Sequence, residues 1–575
     1  VYADLWGTAF TDAAREAFEL LMKKSGYLSA SFGPGFYGMP VDTMQNLQLL
    51  ADGRQIGIEV RGSSILVPLK SCGGIFFVSH EEIEKPSKEC EECRGTIISC
   101  NLCSVRQEKR KVFKCTGVCS KCGRCKDSAM IAGANKRKTK LLALPSDFVP
   151  ETDEPGYGIA FDIGTTTVVG MLWDIKNGKE LGAKAMTNPQ NKYGLDVISR
   201  ITFGNEDKTN LVTMRTEIVA CLNDIIDELC QSSGIEKEGI IRATVGGNTT
   251  MSHLFAGYDP ATLAKAPFAP AYTGTLMMTG ESSMLKIHPK GDVMLFPNIA
   301  GHVGGDITAG IIASRLFDEK ELTLFIDIGT NGEIALTDQG RTLACSTAAG
   351  PAFEGAAIHQ GMRAAPGAIE KLTITDEDVF FTTIDGVRPV GICGSGLIDA
   401  ISELWSYGLI KKTGRLLSKE ELEKKKPETK IAERLREGSS GREFVLIFKE
   451  DEEDIVITQN DIREVQLAKG AISAGITIML EKLEKTEQDI HKIIVAGAFG
   501  NFINKESAVN MGLLPKVSLD RIYSAGNTAG AGTLMALASS KEALLAKKVP
   551  ELVEHVELSS CEDFQTKYLT AMAFV

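Results

Sequence analysis

Two stretches of this chain repeat one pattern of apolar and polar positions. In YGIAFDIGTTTVVGMLWD (residues 157–174) an apolar run delivers Asp162, breaks at Gly164, Thr165, Thr166 and Thr167, and resumes as a second apolar run. LTLFIDIGTNGEIAL (322–336) does the same with Asp327, Gly329, Thr330, Asn331 and Gly332. Apolar runs this short, bounded by turn residues, read as paired strands, and their recurrence marks an internal repeat. Helical patterns are expected over AFTDAAREAFELLMKK (9–24) and ITAGIIASRLF (307–317). The Lys- and Glu-rich KKTGRLLSKEELEKKKPETKIAERLRE (411–437) reads as a solvated, helix-like insertion. No apolar run reaches membrane length, and the visible start carries no signal-peptide pattern. We therefore expect no membrane partner and a cytoplasmic location. The chain opens inside a helical stretch, so its start is expected to be trimmed.

Cysteine usage changes this picture at one place. Eight of the 14 cysteines fall within residues 90–125, as CEEC, CNLC and CTGVCSKCGRC: Cys90, Cys93, Cys100, Cys103, Cys115, Cys119, Cys122 and Cys125. Two-residue gaps place both sulfurs on one side of a tight turn, where they chelate a metal rather than each other. A disulfide framework belongs to short secreted chains, not to one of 575 residues. The second quartet contains the gaps of the bacterial ferredoxin run in reversed order, which suits a cuboidal iron-sulfur cluster. We expect one or two 4Fe-4S clusters, with ligands free to interleave between quartets; four-thiolate zinc is the alternative, strongest for the first quartet. Cys72, Cys221, Cys230, Cys345, Cys393 and Cys561 read as buried small hydrophobes.

Hydrophobic content of 43% and 57 glycines fit an α/β protein with many tight turns, and the length exceeds a single core. A formal charge of −12 leaves no basic face for a nucleic-acid partner. The basic NKRKTK (135–140) and the Pro-rich, acidic LALPSDFVPETDEPG (142–156) read together as a linker; the basic run could instead dock an acidic redox partner. Four parts follow: a small α+β domain at 1–85, the Cys-rich module at 86–130, the linker at 131–156, and a large two-lobed region at 157–575.

The repeated hairpin has a legible chemistry. Glycine lets successive backbone amides approach phosphate oxygens, the hydroxyls of Thr165 and Thr166 add donors, and the aspartate at each strand end can hold magnesium through water. These residues resemble the phosphate loops of the ASKHA superfamily of kinases, heat-shock chaperones and actin, in which two ribonuclease-H-like halves close on a nucleotide. IIVAGAFGNFINKESAVNMGLLP (493–515) is similar to the adenosine loop of that fold, and SAGNTAGAGT (524–533) to a turn closing its cleft. The resemblance implies ATP and Mg2+ at Gly164, Thr165, Thr166, Thr167, Gly329, Thr330, Asn331, Gly497, Gly500, Gly526 and Asn527, with Asp162, Asp327 and Thr165 carrying hydrolysis. Asp306, in GGDITAG, reads equally as a contact to magnesium or water and as a helix cap. His302 and His359 read as hydrogen-bonded structural histidines.

VGGNTTMSHLFAG (245–257), PNIAGHVGGDITAG (297–310), STAAGPAFEGAAIHQGMRAAPGAI (346–369) and GICGSGLIDA (391–400) together resemble the ATP-dependent reductive activators of corrinoid proteins. The resemblance implies that ATP hydrolysis gates one-electron transfer from the clusters to inactive Co(II), giving Co(I). It also implies two partners, a corrinoid protein of a methyltransferase system and a low-potential donor such as a ferredoxin or flavodoxin, and leaves a homodimer open. Residues 1–80 resemble the later part of the activation domain of cobalamin-dependent methionine synthase, through the turn Gly33, Pro34, Gly35, Phe36, Tyr37 and the strand positions Pro68, Lys70 and Ser71. Ala30 and Ser31 stand where that family carries an arginine, so an anchor for the methionine carboxylate of S-adenosylmethionine is missing. The plant-like CxxxxCxxC of known activators is also absent, which implies a different electron-input module. Two alternatives stay open: an electron pump for 2-hydroxyacyl-CoA dehydratases, and a zinc-stapled, nucleotide-dependent docking protein for a corrinoid protein.

Overall fold

The computed structural model describes residues 144–152, 154–439, 441–449, 452–497 and 502–575, and the backbone of four short strands before them. Those strands pair antiparallel, Tyr27–Leu28 with Val78–Ser79 and Glu59–Arg61 with Ile65–Val67. The eight clustered cysteines, Cys72, Gly500, the 9–24 helical pattern and the residues carrying the methionine-synthase resemblance lie outside the described residues. The chain divides into two compact units, one of residues 1–137, 365–390 and 449–453, the other of 138–364, 391–448 and 454–575. Within the first, Ala368–Ile374 and Val379–Thr383 form an antiparallel hairpin.

The second unit contains the repeat. Its first half builds a six-stranded sheet from β1 (Tyr157–Ile163), β2 (Thr167–Asp174), β3 (Lys179–Thr187), β4 (Ile240–Gly247), β5 (Leu276–Thr279) and β6 (Asp292–Leu295), in the order β3-β2-β1-β4-β6-β5. The second half uses β7 (Thr323–Ile328), β8 (Gly332–Asp338), β9 (Arg341–Thr347), β10 (Lys492–Ala496), β11 (Ile522–Gly526) and β12 (Val553–His555), in the order β12-β9-β8-β7-β10-β11. In both halves three antiparallel strands lead into two parallel ones. This is the duplicated ribonuclease-H-like α/β arrangement expected from the two DIGT hairpins. The halves differ at their edges, where β5 runs antiparallel to β6 and β12 parallel to β9.

Strand alternation decides where the aspartates point. Ile159, Phe161 and Ile163 turn into a core shared with Met214, Ile218, Leu222 and Ile225 of the helix α2 (Lys208–Ser233). Ala160 takes the opposite face and joins Phe325 of β7 in a second core. That core is filled by Ile307 and Ile311 of α4 (Gly305–Ala313) and Leu534 and Leu537 of α7 (Thr528–Ala538). Asp162 and Asp327, two residues after Ala160 and Phe325, therefore sit on the faces that share this core. The α4–α7 crossing is close: a Cβ on Gly532 would stand 2.0 Å from the Ala309 carbonyl oxygen. The remaining helices used below are α1 (Val197–Glu206), α3 (Thr249–Ala256), α5 (Gly394–Tyr407) and α6 (Gln459–Lys482).

Two segments differ from their sequence patterns. Residues 411–437 do not form the solvated helix-like insertion expected; only Lys419–Lys425 is α-helical, and Leu416, Leu417, Leu422, Ile431 and Leu435 are buried. The segment runs on into a three-stranded sheet, Leu435–Gly438, Gly441–Ile447 and Ile455–Thr458. Its many charges mask leucines that pack inward, and Pro427 cannot continue a helix. The stretch read as linker is held down over its described part. Leu144 and Phe148 pack on the shared core, Glu151 N–H donates to the Ala538 carbonyl at 2.8 Å, and the Glu151 carboxylate accepts from Ser540 N at 2.9 Å. Cys221, Cys230, Cys345 and Cys393 are buried, whereas Cys561 is partly exposed. Among the described residues no helix is long and apolar enough to cross a membrane.

Candidate nucleotide site

The first phosphate turn is tied back at every carbonyl. Gly164 N–H closes it on the Thr167 carbonyl at 3.0 Å. The Gly164 carbonyl accepts from Asn188 Nδ2 at 2.9 Å and the Thr166 carbonyl from Asn188 N at 3.0 Å. The Thr165 carbonyl accepts from the guanidinium of Arg200, a fully buried side chain on α1. Arg200 also donates to the Gly194 carbonyl at 3.0 Å and to Asn191 Oδ1 at 2.6 Å; burial lowers its pKa to about 10. The Thr165 hydroxyl accepts from Asn248 Nδ2 at 2.8 Å, and Asn248 caps α3 through Met251 N–H. Thr167 opens β2, and its side chain is exposed.

The second turn closes through Gly329 N–H on the Asn331 carbonyl at 2.9 Å. One residue joins the two turns. Glu354, at the end of the short helix Pro351–Glu354, accepts from the Thr166 hydroxyl at 2.9 Å through Oε2 and from the Thr330 hydroxyl at 2.8 Å through Oε1.

Carboxylates crowd around the two turns. Asp162 accepts from Asn527 Nδ2 at 2.8 Å, while the Asn527 side-chain oxygen caps α7 at Gly530 N–H. Burial pushes the Asp162 pKa up to about 6 against the pull of Asn527. Asp306, in the first turn of α4, is pushed to about 7 by burial and by the charge of Asp162, with the Ile307 amide opposing. The N-cap position of its helix is Gly304, and the Asp306 carboxylate accepts from the first-turn Ile307 amide at 2.8 Å while also feeling the charge of Asp162. Asp327 rises to about 7 through burial and the charges of Asp306, Asp162 and Glu354. Glu333, buried on β8 and in register with Asp327, lies well above its ordinary range through burial and then Asp306 and Asp327.

These groups fit a cation–phosphate ligand. The N–H groups of Thr165, Thr166, Thr330 and Asn331, of which only Thr165 belongs to a buried residue, find no acceptor among the described residues, and successive unpaired turn amides are donors open to a phosphate. Four desolvated carboxylates facing each other call equally for positive charge. Among the described residues no group of three or more His, Cys, Asp or Glu side chains is placed to ligate a metal ion directly. Gly497, at φ +86, is demanded by the geometry: a Cβ there would lie 2.6 Å from Asp327 Oδ1.

The structure thus brings together Asp162, Thr165, Thr166, Asp327, Thr330, Gly497 and Asn527, which the sequence singled out. It adds Glu354, Asn248, Arg200 and Glu333. Glu354 and Asn248 lie inside segments that carry the family resemblance, but nothing in spacing assigned them a role; Arg200, in an ordinary helical pattern, gave no signal. His302 packs its ring on Phe268 at 5.0 Å, and the His359 amide donates to Asp461 Oδ1 at 2.7 Å.

Comparison with known proteins adds a family to this geometry. Residues 157–319 match the RACo middle region and 321–575 the C-terminal domain of RACo, the ASKHA domain. The corrinoid activation enzyme RamQ of Eubacterium limosum is 38% identical over 433 residues, 74% of this chain and 72% of that protein. The chain belongs to the RACo family of corrinoid reductive activators. A methylated-amine-specific corrinoid protein reductase of Methanosarcina barkeri is 26% identical, over 73% of this chain and 77% of its own. A solved structure of a reductive activator for a corrinoid, iron-sulfur protein superposes with a TM-score of 0.65 at 39% identity. It is matched over 73% of this chain and 66% of its own length, just under two thirds. The RACo middle region thus holds the first DIGT turn and the ASKHA domain the second.

Proposed function

We propose that this chain reduces the inactive Co(II) of a corrinoid protein to Co(I) in one-electron steps driven by ATP hydrolysis. The observation that carries the nucleotide half is the pair of turns whose unsatisfied amides and crowded carboxylates converge in one cleft. Family membership supports the corrinoid protein as partner.

Thr165 and Thr166 on one side and Thr330 and Asn331 on the other would hold the phosphates of ATP through backbone amides. Gly497 and Gly500, with Gly526, would pass close to the adenosine, and Gly164, Thr167 and Gly329 shape the turns. Asp162, Asp306 and Asp327 would hold a hydrated magnesium ion, which supplies charge neutralisation at the phosphates. With that charge present all three carboxylates can ionise, and one of them can then accept a proton from the attacking water. Because the two turns belong to different halves joined by α4 and α7, cleavage of the terminal phosphate changes what holds the halves together. A two-state clamp with different affinity for its partner is the device such a change can drive.

Cys90, Cys93, Cys100, Cys103, Cys115, Cys119, Cys122 and Cys125 would carry iron-sulfur clusters, which supply one-electron transfer at low potential. Clusters held there would supply one electron for each Co(II) reduced to Co(I), and a ferredoxin or flavodoxin would restore it. The division at residues 85, 130 and 156, the reducing cytoplasm as location, and a homodimer are parts of this proposal. Anaerobic iron, sulfide and zinc analysis with electron paramagnetic resonance of the reduced protein tests the electron path. Iron, sulfide and a reduced-cluster signal are expected; zinc without iron would leave only a nucleotide-driven docking protein. Absorbance of a Co(II) corrinoid protein mixed with the reduced chain, with and without MgATP, tests the coupling.

A further inference from the structure

Glu354 stands where the two halves of the site meet. Each of its carboxylate oxygens takes a hydroxyl proton from a different phosphate turn, Thr166 at 2.9 Å and Thr330 at 2.8 Å. A threonine hydroxyl has a single proton to donate, and a carboxylate can only accept. Phosphate oxygens are acceptors too. A phosphate group lying between the turns and a Glu354 carboxylate bridging them therefore compete for the same two protons, and their like charges repel. The site already holds Asp162, Asp306, Asp327 and Glu333, and Glu354 contributes to the rise of the Asp327 pKa. Arg200, which feels the charge of Glu354, is engaged with the first turn's backbone.

We propose that Glu354 reads the terminal phosphate of the nucleotide: it ties the two turns together when that phosphate is absent and yields both hydroxyls when it is present. This rests on the nucleotide reading of the site and deepens it. A nucleoside diphosphate, which leaves the space between the turns open, is compatible with the Glu354 bridge; a triphosphate is not. Glu354 is then a specificity-determining residue that weakens triphosphate relative to diphosphate, and its release exchanges a protein–protein tie between the halves for one made through the nucleotide.

The test is direct binding by calorimetry of ADP and of a non-hydrolysable triphosphate analogue, each with magnesium, to the full chain and to its Glu354→Ala and Glu354→Gln variants. Glu354→Ala is expected to raise the triphosphate-over-diphosphate affinity ratio by about tenfold, the scale of a lost charge-assisted hydrogen bond. The ADP affinity should stay within about twofold, which also reports that the variant is folded, because ADP need not displace the bridge. Glu354→Gln, uncharged but keeping one acceptor, should shift the ratio in the same direction by less. An unchanged ratio, or a selective loss of triphosphate affinity in either variant, would overturn the proposal. Failure of the unmodified chain to bind either nucleotide would instead overturn the nucleotide reading and take this inference with it.

Discussion

The two phosphate turns share a strand order, an aspartate and a threonine, yet they are secured in opposite ways. The first is locked from behind, with its carbonyls held by Asn188 and Arg200 and its Asp162 by Asn527. In the second, Asp327 accepts no side-chain hydrogen bond among the described residues, the Thr330 hydroxyl is held by Glu354, and a buried carboxylate, Glu333, lies beside it. A duplicated fold has thus been divided into a rigid seat and an electrostatically unsatisfied partner. The unsatisfied side is where an arriving cation and phosphate change the energy most, since desolvated like charges gain most from neutralisation.

The largest effect should come from removing the exposed side of this asymmetry. Asp327→Ala is expected to lower ATP-driven Co(II) reduction by about a hundredfold or more, the scale of losing a main electrostatic group. The electron paramagnetic resonance spectrum of the clusters should be unchanged. Equal reduction rates would show that the second turn carries no chemistry.

Neutralising a charge should next have opposite signs on the two sides. Arg200→Met strips the first turn of buried donors and is expected to destabilise the protein by on the order of 3 kcal/mol. Glu333→Gln removes a buried carboxyl whose ionisation is opposed by burial and by Asp306 and Asp327, and is expected to stabilise it by about 1 kcal/mol at pH 8. Because Glu333 holds its proton to higher pH than in the unfolded chain, that gain should fade as the pH is lowered. Denaturant unfolding of both variants checks the pair; the same sign in both would dissolve the contrast.

The pH dependence should be smaller and shared. Asp162, Asp306 and Asp327 are raised from 3.8 to about 6, about 7 and about 7. Between pH about 4 and 7 the folded protein therefore keeps protons that the unfolded chain has lost, so stability without ligand falls as pH rises through that window. Magnesium–nucleotide affinity should rise over the upper part of the same range, with proton release visible as buffer-dependent heat in calorimetry. A pH-independent affinity would mean that the carboxylates are not the cation's ligands.

The smallest effect should sharpen the comparison itself. Asn527→Ala removes the donor that holds the Asp162 pKa down, making the first aspartate resemble the second. The acid limb of the ATPase profile should move to higher pH, with a loss of about threefold at pH 6.5 and little at pH 8. An unshifted limb would show that Asp162 does not govern it.

Much of this site was legible because its chemistry is local. A hairpin with glycine and threonine after a strand-end aspartate is a motif complete within a dozen residues, so Asp162, Thr165, Asp327 and Thr330 could be named from spacing. Gly526 and Asn527 were found as a turn, but their partner was not, because Asn527 and Asp162 are 365 residues apart. Glu354 and Arg200 were missed for the same reason, since each acts on a turn that only folding brings near; Glu333 lies in the second hairpin itself, and what the sequence did not show is its burial beside Asp327 and Asp306. The misread segment at 411–437 shows the converse, since local charge density hid leucines whose burial depends on a neighbouring sheet.

The sequence by itself determined the duplication, the strand pattern and the two aspartates, because alternation and turn chemistry are properties of neighbouring residues. It also determined that eight thiols share one short stretch. Only the tertiary structure decided that both aspartates face one cleft through the core around α4 and α7, that one turn is buttressed and the other is not, and that Glu354 joins them. Those are consequences of desolvation and of hydrogen bonds between residues far apart in the chain, and neither quantity exists until the two halves have packed.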